Sequence, residues 1–141
     1  MALTGYRFDF AIYVESMNSI TNVARLSAAD VAMVFTSGIA PYVHESESGP
    51  TEQFVRNYGA RVHHLAFDTA RIEDTYAALG AAGMEFMVEL VGSPEEGLKQ
   101  TFSQPSTATL VVNEYIHRYG TFTGFFTQSN VTRLTAATGN Q

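Results

Sequence analysis

Arg61-Val62-His63-His64-Leu65-Ala66-Phe67 is the stretch on which the fold turns. It has the β-branched and aromatic make-up of a short strand, interrupted by two adjacent imidazoles. Neighbours along a strand point to opposite faces, so Val62, His64 and Ala66 share one face and His63, Leu65 and Phe67 the other. His63 and His64 are therefore not expected to reach the same site. Directly afterwards, Asp68 or Thr69 can cap a helix running to Ala82, with Ile72, Tyr76 and Leu79 on one stripe and Gly83 at its end. Met84–Leu90 then reads as a strand, Gly92-Ser93-Pro94 as a loop, and Leu98–Phe102 and Thr109–Ile116 as two further strands. Asn130–Ala137 reads as a terminal helix. Residues 59–141 thus carry the order β-α-β-β-β-α.

The first half is different. Arg7–Glu15, Asn22–Leu26, Val31–Thr36 and Ile39–His44 read as strands, and no long helix is evident. Thr51–Tyr58 can form two helical turns, with Thr51 as cap and Gly59 as stop. The acidic run Glu45–Glu52 reads as a solvated loop. GYRFDFAIY at 5–13 echoes GARVHHLAF at 59–67 in its glycine, arginine and apolar spacing, a hint of two related halves.

Composition narrows the class. A chain of 141 residues with 45% hydrophobic residues can bury a core without crosslinks. The absence of cysteine excludes disulfides, thiolate zinc sites and cysteine nucleophiles and fits a cytoplasmic setting. A formal charge of −6 with no basic block argues against nucleic acid as partner. No apolar run has the length of a membrane span.

The chemistry sits in TLVVNEYIHR, residues 109–118. Leu110, Val112, Glu114 and Ile116 fall on one face of that strand, Val111, Asn113, Tyr115 and His117 on the other. A carboxylate on an apolar face is costly unless it is paired, protonated or bound to metal. With His64 it could form part of a 2-His-1-carboxylate site. A buried, hydrogen-bonded His–Glu pair satisfies the same pattern.

Taken together, the motifs resemble a family. VHHLAF, a helix and GMEFM, then LKQTFSQP, TLVVNEYIHRYG and FTQSNVTRL, stand in the order and spacing of the last module of the 4-hydroxyphenylpyruvate dioxygenase family. PYVHESES and TEQFVRNYGARVHH resemble the end of the preceding module. The match spans about residues 40–137. The resemblance implies an α+β fold of the vicinal oxygen chelate type. Residues 59–141 would form a complete βαβββ module with a C-terminal helix, and residues 1–58 an incomplete first module. It implies His64 and Glu114 as ligands of Fe(II), Phe102 as an aromatic stacking on the substrate ring, and Gln100 as a polar residue of the same strand. Phe126 and Asn130 match the start of the helix that closes the pocket. Phe125 is expected in the core.

The departures are specific. His63 replaces a glutamine, Val131 replaces a second stacking phenylalanine, and His44 falls near a polar pocket position. The family's first ligand histidine has no counterpart. Phe10 occupies its place under one alignment, and MALTGYRF suggests under another that the opening strand and helix are missing. The implied activity is Fe(II)-dependent oxidative decarboxylation of an aromatic 2-oxo acid, with iron weakly held and turnover lost in this chain. The alternatives are a non-catalytic small-molecule-binding module on the same scaffold and a metal-dependent isomerase or lyase. Without an opening strand the first sheet would have a bare edge, so a homo-oligomer is expected.

Overall fold

A computed structural model describes residues 4–27, 29–122, 124 and 126–139; Phe125 lies outside them, as do the first three residues of MALTGYRF. The chain divides into two compact units, Met1–Gly59 and Ala60–Gln141. Among the described residues, no helix is long and apolar enough to cross a membrane.

The first unit is an antiparallel meander, β1 (Arg7–Val14), β2 (Ser19–Arg25) and β3 (Met33–Gly38), followed by helix α1 (Pro50–Tyr58). β1 pairs with β2 from Arg7 opposite Arg25 to Val14 opposite Ser19, with a bulge between Phe8 and Phe10. The β1–β2 turn closes on Asn18 in the left-handed region (φ 46°), which asparagine tolerates better than most residues. Its amide also brackets Ala40, accepting from the backbone N–H at 2.9 Å and donating to the carbonyl at 3.2 Å.

Three expectations change here. Ile39–His44 is not a strand; His44 instead caps the 3-10 turn Glu45–Glu47, its Nδ1 accepting from the Ser46 N–H at 3.2 Å. Gly49, not Thr51, begins α1, because Pro50 supplies a pre-set φ at the first helical position. Glu52 accepts from the Gly49 N–H at 2.9 Å, so the acidic run is a turn and a helix start rather than a loop. A Cβ on Gly49 would lie 1.7 Å from the Met17 carbonyl oxygen, so only glycine fits.

The second unit runs β4 (His64–Asp68), α2 (Ile72–Ala81), β5 (Val91–Ser93), β6 (Leu98–Phe102), β7 (Val112–Arg118) and α3 (Gln128–Thr138), with sheet order β4-β7-β6-β5. β4 runs parallel to β7, and the other pairs are antiparallel. The expected strand at Met84–Leu90 shrinks to an isolated bridge, Phe86 to Ser103; regular pairing begins only at Val91. Gly92, read as loop, is a strand residue. Its φ of 97° and missing side chain let the Leu98 carbonyl approach where a Cβ would be 2.2 Å away. The last strand starts later than expected, at Val112, after a turn in which Leu110 has φ 59° and donates its N–H to the Ser106 carbonyl at 2.8 Å.

Topologically, β1-β2-β3-α1 matches β5-β6-β7-α3: a meander followed by a helix. The echo between 5–13 and 59–67 is therefore misleading. β1 opens an antiparallel meander, whereas β4 pairs in parallel with the last strand of its sheet. The first unit has no counterpart of β4 and α2 among its described residues.

In the second unit the two faces are covered by different helices. Leu98, Gln100 and Phe102 of β6 and Val112, Glu114 and Ile116 of β7 are all buried and share one face. Phe102 and Val112 form an apolar cluster with Leu134 of α3, which places that helix over this face. On the other face, Glu73 of α2 accepts from Lys99 at 2.6 Å and from the Tyr119 hydroxyl at 3.3 Å.

Candidate functional site

Register brings the site together. In the β4–β7 ladder His64 stands opposite Val112 and Ala66 opposite Glu114, and in the β6–β7 ladder Phe102 stands opposite Glu114. Strand alternation then sends His64, Phe102, Gln100 and Glu114 to one face. His64 Nε2 lies 3.4 Å from Glu114 Oε2. Glu114 is 1% exposed, and its Oε1 has no hydrogen-bond partner.

The electrostatics follow from that burial. Burial pushes the Glu114 carboxyl up to about 7, against the pull of Arg118. Burial, and then the nearby His63, push His64 down to about 4. Desolvation thus disfavours both charged forms. Near neutral pH a proton on Glu114 can donate to Nε2 of a neutral His64.

His63, read as a structural or pocket-edge polar residue, lies at the edge of the site, but not on the opposite face that strict alternation assigns it. It lies just before β4 begins, outside the strict alternation, and its Nδ1 is 2.9 Å from His64 Nδ1. Its ring meets His64 edge-on at 5.2 Å and lies 6.3 Å from Phe102. Parity could not have found this contact, because the carbonyl of His63 joins the ladder (Val112 N–H, 2.9 Å) while its side chain turns towards its neighbour.

The other named residues fall as follows. Phe102 is 4% exposed, with its ring 5.1 Å from that of His64 and tilted by 36°. In this conformation it packs on a histidine rather than offering an open platform. Gln100 is fully buried with neither amide atom hydrogen-bonded. Asn130 is fully buried in the first turn of α3; its Nδ2 donates to the Val91 carbonyl at 3.4 Å, and its Oδ1 is unsatisfied. Thr127 caps that helix, accepting from the Asn130 N–H at 3.3 Å. Phe126 is partly buried just before it, and Val131 is buried within it. His117 points to the opposite face from Glu114 and stacks edge-on with Tyr119 at 4.4 Å.

A site with these donors can be tested for metal. Ligands bonded at about 2.1 Å and cis to each other sit roughly 3.0–3.4 Å apart, and the 3.4 Å between Nε2 and Oε2 meets that spacing. Glu114 Oε1 is a buried acceptor with no partner. His64 and Glu114 therefore fit as half of a nitrogen–oxygen site. Among the described residues no cluster of three or more potential ligands exists.

Comparison with solved structures gives the architecture a family of shapes. A protein of Shewanella frigidimarina NCIMB 400, carrying a provisional hydrolase designation, aligns over 89% of this chain and 75% of its own, with 17% identity and a TM-score of 0.69. The Q60A form of Streptomyces coelicolor methylmalonyl-CoA epimerase, in complex with 2-nitronate-propionyl-CoA, aligns over 84% of each chain with 17% identity and a TM-score of 0.63. The fold is the vicinal oxygen chelate fold. A hypothetical protein of Bacillus halodurans C-125 aligns over 82% of this chain and 78% of its own, with 16% identity and a TM-score of 0.64. At such identities the likeness to vicinal oxygen chelate proteins is one of fold, and activity must be argued from the site. No protein-family model and no curated protein matches the sequence.

Proposed function

We propose that this chain is a metal-binding vicinal oxygen chelate protein whose second unit holds the ion through His64 and Glu114, and that its ligand is an aromatic 2-oxo acid. The observation that carries the metal reading is the 3.4 Å approach of His64 Nε2 to a fully buried carboxylate with one unsatisfied oxygen. The ligand class rests on the dioxygenase-like order of the motifs around Gln100, Phe102, Phe126 and Asn130. A bound divalent ion such as Fe(II) would supply Lewis acidity towards the keto and carboxylate oxygens of such a ligand. The protein's part is to hold those oxygens beside His64 and Glu114 and to exclude water with α3.

Binding without turnover is the form of this reading that the residues favour. Two protein ligands are one short of the three that non-haem iron oxygenases use. Phe102 must also leave His64 before it can stack on a substrate ring. Co(II) titration of the wild type, His64→Ala and Glu114→Gln tests the metal; equal affinity in all three removes it. Oxygen uptake with Fe(II), ascorbate and 4-hydroxyphenylpyruvate should stay at the no-enzyme level. Robust turnover would instead establish the dioxygenase and call for a third ligand. We also propose that the chain forms a homo-oligomer through its first unit.

A further inference from the structure

The two Nδ1 atoms of His63 and His64 stand 2.9 Å apart, a hydrogen bond that one proton must bridge. Only two arrangements are open. If His63 donates, the neutral His64 ring carries its own proton on Nε2, which then points a donor at Glu114. If His64 donates, its Nε2 keeps a lone pair, 3.4 Å from Glu114 Oε2. Only the second leaves Nε2 able to take a metal, since a ligating nitrogen must be unprotonated.

We infer that His63 is a positioning residue: its Nδ1 accepts the Nδ1–H of His64, locks that tautomer and holds the Nε2 lone pair on the Glu114 side. This rests on the reading of His64 as a metal ligand. Three contacts make the hold directional. Phe102 covers the His64 ring at 5.1 Å, the His63 ring meets it edge-on at 5.2 Å, and the His63 carbonyl is anchored to the Val112 N–H at 2.9 Å. The outer partner of a ligating imidazole fixes both its tautomer and its orientation. A carboxylate or a backbone carbonyl often does this; here a second imidazole supplies the acceptor.

The test has two arms on the full chain. In metal-free, 15N-labelled protein, long-range ring correlations report the His64 tautomer. The wild type should be Nδ1–H, and His63→Gln, whose amide oxygen can accept the same proton, should keep it. His63→Leu and His63→Ala should move His64 towards Nε2–H. In the second arm Co(II) is titrated: His63→Gln should bind within about threefold of the wild type, and the two deletions about 10–100-fold more weakly. An Nε2–H tautomer in the wild type overturns the inference even if both deletions fail to fold. So does an unchanged tautomer and Co(II) affinity in a folded deletion. If the tautomers behave as expected but the wild type binds no Co(II), the metal reading fails and the hold of His63 on His64 stands.

Discussion

At the scale of the residue, Glu114 and His64 are the groups whose protonation the fold controls strongly. The Glu114 carboxyl is raised from 4.5 to about 7 by burial, so between those values the folded state binds more protons than the unfolded state. Stability attributable to Glu114 is therefore full at low pH and is lost as pH rises through that window. His64, lowered from 6.5 to about 4, acts in the opposite sense: its contribution is lost as pH falls through its own window. The two nearly cancel around pH 5–6. Glu114→Gln removes one side of that balance. In urea unfolding with EDTA, the stability of the variant relative to wild type should climb by on the order of 3 kcal/mol between pH 4.5 and 7. A pH-independent difference would show that Glu114 ionises freely. The same residue shows why the site was legible. Inside a strand the two-residue period is strict, so His64 could be set with Val62 and Ala66, and Glu114 with Val112 and Ile116, from sequence alone; that these two faces are one, and that Gln100 and Phe102 share it, is fixed by the register of the sheet. Where the strand has not yet begun, at His63, the rule has no force.

At the scale of the element, the continuously paired strand β6 was readable and the glycine-dependent joints were not. Leu98–Phe102 is found at its expected bounds, because every one of its residues pairs with β7 on a continuous ladder. Met84–Leu90 misled because apolar composition does not distinguish a strand from a segment that touches the sheet at one bridge. Gly92 and Gly49 misled because close backbone approach leaves no signal beyond the glycine itself. The two glycines flanking α1 make this measurable. Gly59 has φ 78° and ψ 171°, a conformation open to glycine alone, and nothing within 4 Å of the position a Cβ would take, so Gly59→Ala bears only backbone strain, about 1–3 kcal/mol. Gly49 has an ordinary φ, but its Cβ would meet the Met17 carbonyl oxygen at 1.7 Å, with no side chain to yield. Gly49→Ala should cost about 3 kcal/mol or more and lower Tm further than Gly59→Ala. Equal shifts would mean that the Met17 turn moves freely.

At the scale of the whole molecule, the two sheets differ in one element pair, and that difference has consequences for association. In the second unit, β4 covers the outer edge of β7 and α2 covers the face bearing Lys99. In the first unit β3 is an outer strand of its sheet, and no helix corresponds to α2 among the described residues. Tyr13, Met33 and Phe35 project from the uncovered face and are 51%, 39% and 46% exposed. Val31, just before β3, is 81% exposed. An edge with free backbone groups beside an apolar face favours pairing with another strand. A second copy can meet both needs at once: two β3 strands paired antiparallel about a two-fold axis make a continuous sheet and bring the two apolar faces side by side. The outer edge of β3 was expected from sequence but its apolar face was not, because which residues of β3 share a face with Tyr13 depends on the register of β2 with β1 and β3. Sedimentation velocity over a range of concentrations should show a dimer that dissociates on dilution. Phe35→Lys places a charge beside its two-fold mate and should shift the protein to monomer at all concentrations, with its melting temperature measured on the monomer little changed. A wild type that is monomeric at the highest concentration, or a Phe35→Lys variant as dimeric as the wild type, removes β3 from the interface.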